Sequence, residues 1–213
     1  EVAVEGGIQL KEGKIADEVV ILSAGADKAM DAIRTALAMG ADRGILVKQD
    51  SNADEYARAI ALAAAIKSEN PDLILAGHVA ADDGSSQIPT RLAEILGVPH
   101  VNVITKLEIA GGKATATSEA DGGTQVTEVS LPAVVSSQVS WNEPRYPSMK
   151  GIMQAKKKPV ATVDAAAADN KVKILEYSLP PAKTAGIKIE EDPDVAAAKL
   201  GDWMLNSVKV EVK

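Results

Sequence analysis

Three short apolar runs alternate with helix-like patterns between residues 17 and 100, and this alternation restricts the chain to few folds. The runs occupy residues 18–25, 43–48 and 72–77, each long enough for a buried strand and too short for a helix. Between the runs, apolar residues recur three or four positions apart, namely Met30, Ile33 and Leu37, and then Tyr56, Ile60, Ala63 and Ile66. A β-α-β-α-β-α order implies parallel strands joined by right-handed crossovers. The sequence therefore predicts a three-layer α/β/α fold with a mainly parallel sheet.

Beyond residue 100 the apolar residues alternate singly with polar ones. Four short runs lie between residues 100 and 140, punctuated by Gly111-Gly112 and Gly122-Gly123. This pattern is typical of antiparallel hairpins, which either extend the parallel sheet or flank it. From residue 141 onward prolines interrupt any continuous element, and the Ala-rich segment 163–170 resembles a linker.

The C-terminal part of the chain is expected to be an extended arm that ends in a helix. Asp192 is placed to cap that helix and Pro193 to occupy its first position, ahead of Val195, Leu200 and Trp203. Such an arm is better suited to binding a partner than to completing the hydrophobic core of its own domain. We therefore predict an α/β domain over 1–162 and a docking arm over 163–213.

Composition argues against several classes of function. The chain has 30 acidic and 23 basic residues, a net charge of -7, and only 2% aromatic residues. Nucleic-acid binding needs a basic surface and stacking rings, so we expect none. The absence of cysteine excludes disulfides and thiolate sites, and two histidines, His78 and His100, do not make a metal cluster. No apolar run approaches the ~18 residues that cross a bilayer, so we expect no membrane insertion.

The N-terminus starts abruptly. Glu1 is followed at once by an amphipathic stretch that contains Val2, Val4, Ile8 and Leu10, with no initiator methionine and no opening strand. We expect the natural N-terminus, with a first strand, to lie upstream. The lack of a targeting segment in this chain therefore does not indicate a compartment.

The most informative loop follows the third predicted strand. In open parallel sheets ligands bind beyond the carboxyl ends of the strands, and residues 78–87 lie there, ahead of a helix with Ile88, Leu92 and Ile95. A glycine and small hydroxyls at a helix N-terminus present N–H groups to a phosphate. The alternative is ordinary helix capping, since two adjacent carboxylates repel an anion unless they face elsewhere. Spacing leaves both open, the Walker ending is absent, and no residue has the partners of a catalytic acid, base or nucleophile.

A second notable segment runs from Trp141 to Pro159. It is bracketed by prolines, carries Met149, Ile152 and Met153 at one-turn spacing, and ends in three lysines, 156–158. Methionine adapts to varied surfaces, and a basic run on an acidic protein steers acidic partners. The alternative is a short helix that packs its Met and Ile on the body and leaves its lysines in solvent. The chemistry alone favours neither.

These residues resemble the β subunit of electron transfer flavoprotein along essentially the whole chain. The matching segments are residues 1–5, 34–44, 121–123, 131–135, 142–146, 152–153 and 155–158. Asn-Glu-Pro-Arg-Tyr at 142–146 with the downstream lysines is the most specific of them. The positions that depart from the family pattern are Ser86, Ile88, Ser118, Thr127 and Ser136. The family's first strand, with its Asn-Pro-Phe-Asp motif, is also absent from this chain.

The resemblance implies an adenine-nucleotide α-hydrolase-like fold and an electron-carrier subunit without catalysis of its own. It would form a heterodimer with an α subunit that holds most of the redox FAD, and would itself bind a structural AMP or a second, bifurcating FAD. Electrons would pass between flavoprotein dehydrogenases, such as those of fatty acid oxidation, and an acceptor oxidoreductase. The expected location is bacterial cytoplasm in preference to mitochondrial matrix.

The resemblance also implies two sets of site residues. The nucleotide set comprises Ala24, Gly77, His78, Val79, Ala80, Asp82, Asp83, Gly84, Ser85, Ser86, Gln87 and Ile88. The partner-binding set comprises Glu143, Arg145, Tyr146, Met149, Ile152 and Met153, with Met149 inserted into a pocket of an acyl-CoA dehydrogenase or a related flavoenzyme.

Two rival classes remain open on the residues alone. An adenine-nucleotide-dependent α/β enzyme normally carries a Ser-Gly-Gly-x-Asp-Ser loop or a His-x-Gly-His element, and neither occurs. A stress-type nucleotide sensor would need neither the 142–146 motif nor the 171–213 arm.

Overall fold

The computed structural model describes residues 1–81, 83–183 and 186–208. The chain divides into two compact units, Glu1–Lys173 and Ile174–Lys213. A strand, Val160–Asp164, crosses position 162, where the sequence placed the end of the first domain. The role of the remainder as a docking arm stays a prediction.

The first unit alternates helices and strands as far as residue 100. Its elements there are α1 (Val2–Glu12), β1 (Val20–Gly25), α2 (Ala29–Met39), β2 (Arg43–Lys48), α3 (Glu55–Glu69), β3 (Leu73–Gly77) and α4 (Ile88–Leu96). The later elements are β4 (His100–Ala110), β5 (Lys113–Ala120), β6 (Gly123–Ser130), β7 (Ala133–Ser137), a 3-10 turn (Val139–Trp141), α5 (Met149–Ala155) and β8 (Val160–Asp164). The predicted alternation of strands and helices is confirmed.

The strands form two sheets, in the orders β1-β2-β8 and β3-β7-β4-β5-β6. Parallel pairing joins β1 to β2, β2 to β8, and β7 to both β3 and β4. The β4-β5-β6 meander is antiparallel, and its first turn places Gly111 and Gly112 at φ values of +57° and +75°. The predicted α/β class with a mainly parallel sheet and antiparallel hairpins is confirmed.

Two late strands differ from the sequence prediction. The run 131–140 was expected to be a hairpin strand, but β7 lies between β3 and β4 and is parallel to both. All five β7 residues are buried, as expected for a strand covered on both faces. The segment from residue 141 was expected to be irregular, yet Val160 to Asp164 pair with β2, because β-branched residues suit a pleated surface.

The core is built on both faces of the sheets. On one face α3 and α4 pack Ala63, Ile66 and Leu92 into a cluster that also contacts Leu22 of β1 and Ile74 of β3. Residues of both sheets therefore pack against the same two helices. On another face α2 and α5 enclose a second cluster, whose buried members are Ile33, Leu37, Ala38, Ala41, Leu46 and Ala155.

The second unit contains the predicted terminal helix. Helix α6 (Pro193–Trp203) begins after Asp192, whose carboxylate accepts a hydrogen bond of 3.2 Å from the Asp194 N–H, which confirms the predicted cap. A π-helical turn, Met204–Val208, follows. Among the described residues, no helix combines the length and the apolar character that a membrane span requires.

Candidate functional site

The first candidate site is the loop between β3 and α4, which we call the strand-end loop (residues 77–88). Strand β3 ends at Gly77 and α4 begins at Ile88. Ala24, the other nucleotide residue implied by the resemblance, is the penultimate residue of β1. β1 and β3 belong to different sheets, and each contributes one residue, Leu22 and Ile74, to the core cluster under α3 and α4.

The backbone of the strand-end loop turns through two left-handed residues. Gly84 has φ +62° and Ser86 has φ +55°, a region that is uncommon for serine. The Gly84 N–H donates to the Ala80 carbonyl at 3.1 Å, and the Ser85 N–H donates to the Asp83 carboxylate at 2.9 Å. This turn gives the loop an ordered path into α4.

The N-terminus of α4 makes no side-chain cap. Gln87 occupies the cap position without a capping bond from its side chain. The first-turn N–H groups of a helix have no intrahelical acceptor, so they remain available to an anion, except at Pro89, which has no N–H. This arrangement favours the phosphate interpretation over ordinary capping.

The charges around the loop also accommodate an anion. The Asp83 carboxylate lies 3.8 Å from the Arg58 guanidinium on α3, so its charge is directed towards a cation. Arg91 donates from Nε and Nη2 to the Gln87 side-chain oxygen at 3.0 and 2.6 Å. Because Arg91 occupies the Gln87 side-chain oxygen, the Gln87 NH₂ group can donate to an anion. Asp82 lies outside the described residues.

The other loop residues present open backbone. A Cβ added at Gly77 or Gly84 would meet no atom within 4 Å. Val79 is 54% exposed, Ala80 is exposed and His78 is half-buried. The loop thus offers space at the surface beside the amides of α4.

The second candidate site is an exposed apolar surface on and before α5, which we call the α5 surface. Its members are Tyr146, Met149, Ile152 and Met153, which are 95%, 78%, 43% and 69% exposed. Four large apolar side chains so close together in water are typical of an interaction site.

Helix α5 is held closely against α2. The Ser148 hydroxyl accepts from the Gly151 N–H at 3.0 Å and caps the helix. A Cβ added at Gly151 would lie 2.4 Å from the Ala38 carbonyl oxygen, so only glycine permits this approach. The sequence also allowed a short helix that packs its Met and Ile side chains on the body. Helix α5 does pack on the body, but Met149, Ile152 and Met153 are exposed.

Helices α2 and α5 cap each other's C-termini. Arg34 of α2 donates to the carbonyls of Ala155 and Lys158 at 2.6 and 2.8 Å. In return Lys158 donates to the carbonyls of Leu37 and Ala41 at 2.9 and 2.5 Å. Lys158 is therefore a structural cap and not a solvated member of the lysine run. Sequence reasoning missed this pair because residues more than 100 positions apart carry no local signal.

Arg145 anchors the segment before α5 to α1. Its guanidinium donates to the Glu5 carboxylate at 2.8 Å and to the exposed Glu12 carboxylate at 2.6 Å. Trp141 packs so closely on α1 that a Cβ at Gly6 would lie 2.1 Å from its ring. Glu143, by contrast, is exposed. Of the predicted partner-binding residues, Arg145 thus forms ion pairs inside this chain, whereas Glu143 is exposed at the surface.

The ion pair between buried Glu5 and Arg145 should make the stability of the fold depend on pH. Glu5 is 3% exposed, and its hydrogen bonds from Arg145 outweigh desolvation and lower its pKa. Removing the partner of a buried charge costs about 3 kcal/mol, so Arg145→Gln is expected to lower the free energy of unfolding by that amount at pH 7. A depressed carboxyl pKa stabilises the fold above the usual glutamate pKa of about 4.3, and this stabilisation is lost as the pH falls further.

Urea unfolding of both proteins from pH 7 to pH 3 measures the effect. The gap between wild type and Arg145→Gln should close below about pH 4. Glu12→Gln, which breaks the solvent-exposed pair with the same arginine, should cost much less than Arg145→Gln. Equal losses in the two variants, or a gap independent of pH, would show that the Glu5 pair is unimportant.

Comparison with known proteins identifies the family. The electron transfer flavoprotein domain matches residues 1–168. The chain is 81% identical over 213 residues to the electron transfer flavoprotein subunit beta of Syntrophomonas wolfei, covering all of this chain and 84% of that protein. It is 40% identical to the subunit of the same name from Bacillus subtilis, covering 99% and 85%, and 36% identical to that from Mus musculus, covering 92% and 80%.

These matches extend over the strand-end loop and the α5 surface. The match to the Syntrophomonas wolfei subunit also covers the second unit, whereas the domain match ends at residue 168. The sequence resemblance is thereby confirmed. The chain belongs to the electron transfer flavoprotein family as a β subunit, an electron-carrier subunit and not an enzyme.

Proposed function

We propose that this subunit, paired with an α subunit, carries electrons between flavoprotein dehydrogenases and an acceptor oxidoreductase, and that it binds an adenine nucleotide in the strand-end loop. The single observation that carries the nucleotide site is the uncapped N-terminus of α4 beside the end of β3. The family membership supplies the electron-carrier role.

The nucleotide is AMP or a second, bifurcating FAD, while the redox FAD is held mainly by the α subunit. The residues of the strand-end loop fit a nucleotide phosphate. The hydroxyls of Ser85 and Ser86, the Gln87 amide and the first-turn N–H groups of α4 supply donors, and the Asp83 charge faces Arg58. AMP would serve as a structural ligand, whereas FAD would also exchange electrons.

The α5 surface is proposed to dock on an acyl-CoA dehydrogenase-like flavoenzyme, as in fatty acid oxidation. Met149 is 78% exposed on a helix that is fixed at both ends, which suits an anchor residue. Lys156 and Lys157 are exposed beside it and supply a basic rim. An apolar anchor with a charged rim is the common arrangement of protein interfaces.

The 81% identical relative comes from a bacterium, which supports bacterial cytoplasm as the location. The function is tested by co-expressing the chain with its α subunit. A co-purified heterodimer with a flavin spectrum that accepts electrons from a dehydrogenase supports the carrier. ATP turnover by the chain alone would instead indicate the adenine-nucleotide enzyme.

The second unit is proposed to dock on the α subunit. Leu175, Tyr177 and Leu179 are 88%, 86% and 93% exposed, and such apolar area is worth about 25 cal/mol per Å² when a partner covers it. A truncation after Lys173 keeps the bonds that fasten the end of the first unit, where Asp54 accepts from the Lys171 and Val172 N–H groups. The truncated chain should fold but assemble poorly.

Gel filtration of co-expressed subunits, with circular dichroism of the truncated chain, measures both properties. We expect a folded monomer and at least tenfold weaker heterodimer formation, the equivalent of about 1.4 kcal/mol. Undiminished assembly by a folded, truncated chain would contradict the docking role.

A further inference from the structure

The base of the strand-end loop contains an unusual concentration of buried polar groups. Within the part of the chain that the structure describes, the buried polar or charged residues are Glu5, Ser136 and Ser137. The two serines are adjacent at the end of β7, which lies next to β3. Burying a hydroxyl is unfavourable unless it is hydrogen-bonded, so the partners of these serines indicate what the pair holds.

Ser137 is bound to the start of the strand-end loop. Its hydroxyl donates to the Ala76 carbonyl at 3.3 Å, one residue before Gly77. In the ladder between β3 and β7, Ser137 is also the residue opposite Gly77.

Ser136 is linked to the other end of the loop through Asn102. The Ser136 hydroxyl donates to the Asn102 side-chain oxygen at 3.1 Å. The Asn102 NH₂ group in turn donates to the Thr90 hydroxyl at 3.0 Å, in the first turn of α4. Adjacent serines on one strand are thus connected to both ends of the loop.

The segment that carries Asn102 is strained. Val103 has φ +57°, a left-handed conformation that is a genuine outlier for a β-branched residue. Its N–H donates to the Ser136 hydroxyl at 3.0 Å, and the Asn102 carbonyl accepts from the Ser118 hydroxyl at 3.0 Å. Such strain persists only where surrounding contacts determine it, and it concentrates at ligand clamps. Ser118 and Ser136 are also two of the positions that depart from the family pattern.

We infer that Asn102, oriented by Ser136, is a positioning residue that fixes the first turn of α4 for nucleotide binding through its bond to Thr90. This inference rests on the proposed nucleotide site. Asn102 does not touch the nucleotide itself. It sets the direction of the α4 N–H groups on which the phosphate is held.

Thr90 allows a test that does not disturb the core, because its side chain is exposed. In the heterodimer, Thr90→Val removes the hydroxyl at nearly constant shape and should speed nucleotide release about fivefold, as expected for loss of one ordinary hydrogen bond. Thr90→Ser retains the hydroxyl and should release nucleotide at the wild-type rate. Ser118→Ala removes the bond to the Asn102 backbone carbonyl, keeps the side-chain bond from Asn102 to Thr90, and should also leave release unchanged.

The release rate is measured by dilution into excess competing AMP, alongside hydrogen exchange of residues 84–88. Faster release and exchange in Thr90→Val only would support the inference. The control is Ser86→Asp, which should expel the nucleotide if the proposed site is right. With that control positive, unchanged release in Thr90→Val, or equal acceleration in Ser118→Ala, would overturn the inference. If a charge at Ser86 has no effect on nucleotide content, the proposed site itself is wrong and the inference falls with it.

Discussion

Replacing Ser86 with aspartate is expected to empty the nucleotide site of the heterodimer. The new carboxylate would lie beside the phosphate at the uncapped end of α4. Two like charges 4 Å apart repel by about 4 kcal/mol at the effective dielectric constant of a protein surface. We expect the affinity for nucleotide to fall at least about a hundredfold, because part of this repulsion is screened by solvent.

Asparagine provides a matched control at the same position. Ser86 has a positive φ, and both Asp and Asn tolerate that conformation, so the backbone should be undisturbed in either variant. Ser86→Asn has the shape of Ser86→Asp without its charge and should retain most of the nucleotide. Nucleotide content and the thermal midpoint of the two heterodimers measure the difference. Full occupancy in Ser86→Asp would contradict the site, and loss in both variants would point to a steric effect instead.

Replacing Met149 with alanine is expected to slow electron transfer from a dehydrogenase about thirtyfold, because a buried anchor supplies about 2 kcal/mol of binding. The loss should appear at every ionic strength, since the contact is apolar. Flavin content and heterodimer stability should stay normal, because Met149 is 78% exposed and its helix is fixed by Ser148, Arg34 and Lys158. Val126→Ala, on the exposed face of β6, removes a 65% exposed side chain elsewhere and should have no effect.

The basic rim should respond differently to salt. Replacing Lys156 and Lys157 with Gln should slow association mainly at low salt, and the difference should fade near 1 M, where the Debye length is about 3 Å. Lys158 is left intact because it caps α2. Stopped-flow flavin reduction across a salt series compares both variants. Wild-type rates in Met149→Ala, or loss of its flavin, would assign the α5 surface a structural role.

Local patterns were sufficient to predict the strands and helices between residues 17 and 100. The period of Met30, Ile33 and Leu37 matches α2, and the strand-end loop lies where a parallel sheet binds ligands. The cap at Asp192 was also predictable, because capping depends on neighbouring residues.

Features that depend on distant pairing were not predictable. Alternation over 131–140 does not distinguish a hairpin strand from a strand inserted between β3 and β4. Likewise, the 142–146 motif suggested a surface role for Arg145, whereas its ion pair with Glu5 spans 140 positions in the chain. The hydrogen bonds from Ser136 to Asn102 and from Asn102 to Thr90 join three different elements. No local sequence pattern around any of these residues could therefore predict them.

The most direct test of the account is to release the nucleotides of the purified heterodimer with acid and count FAD and AMP per heterodimer. We predict two nucleotides in all, either one FAD with one AMP or two FAD, and the loss of one of them in Ser86→Asp. A single FAD with no second nucleotide in the wild-type heterodimer would contradict a nucleotide site in this subunit.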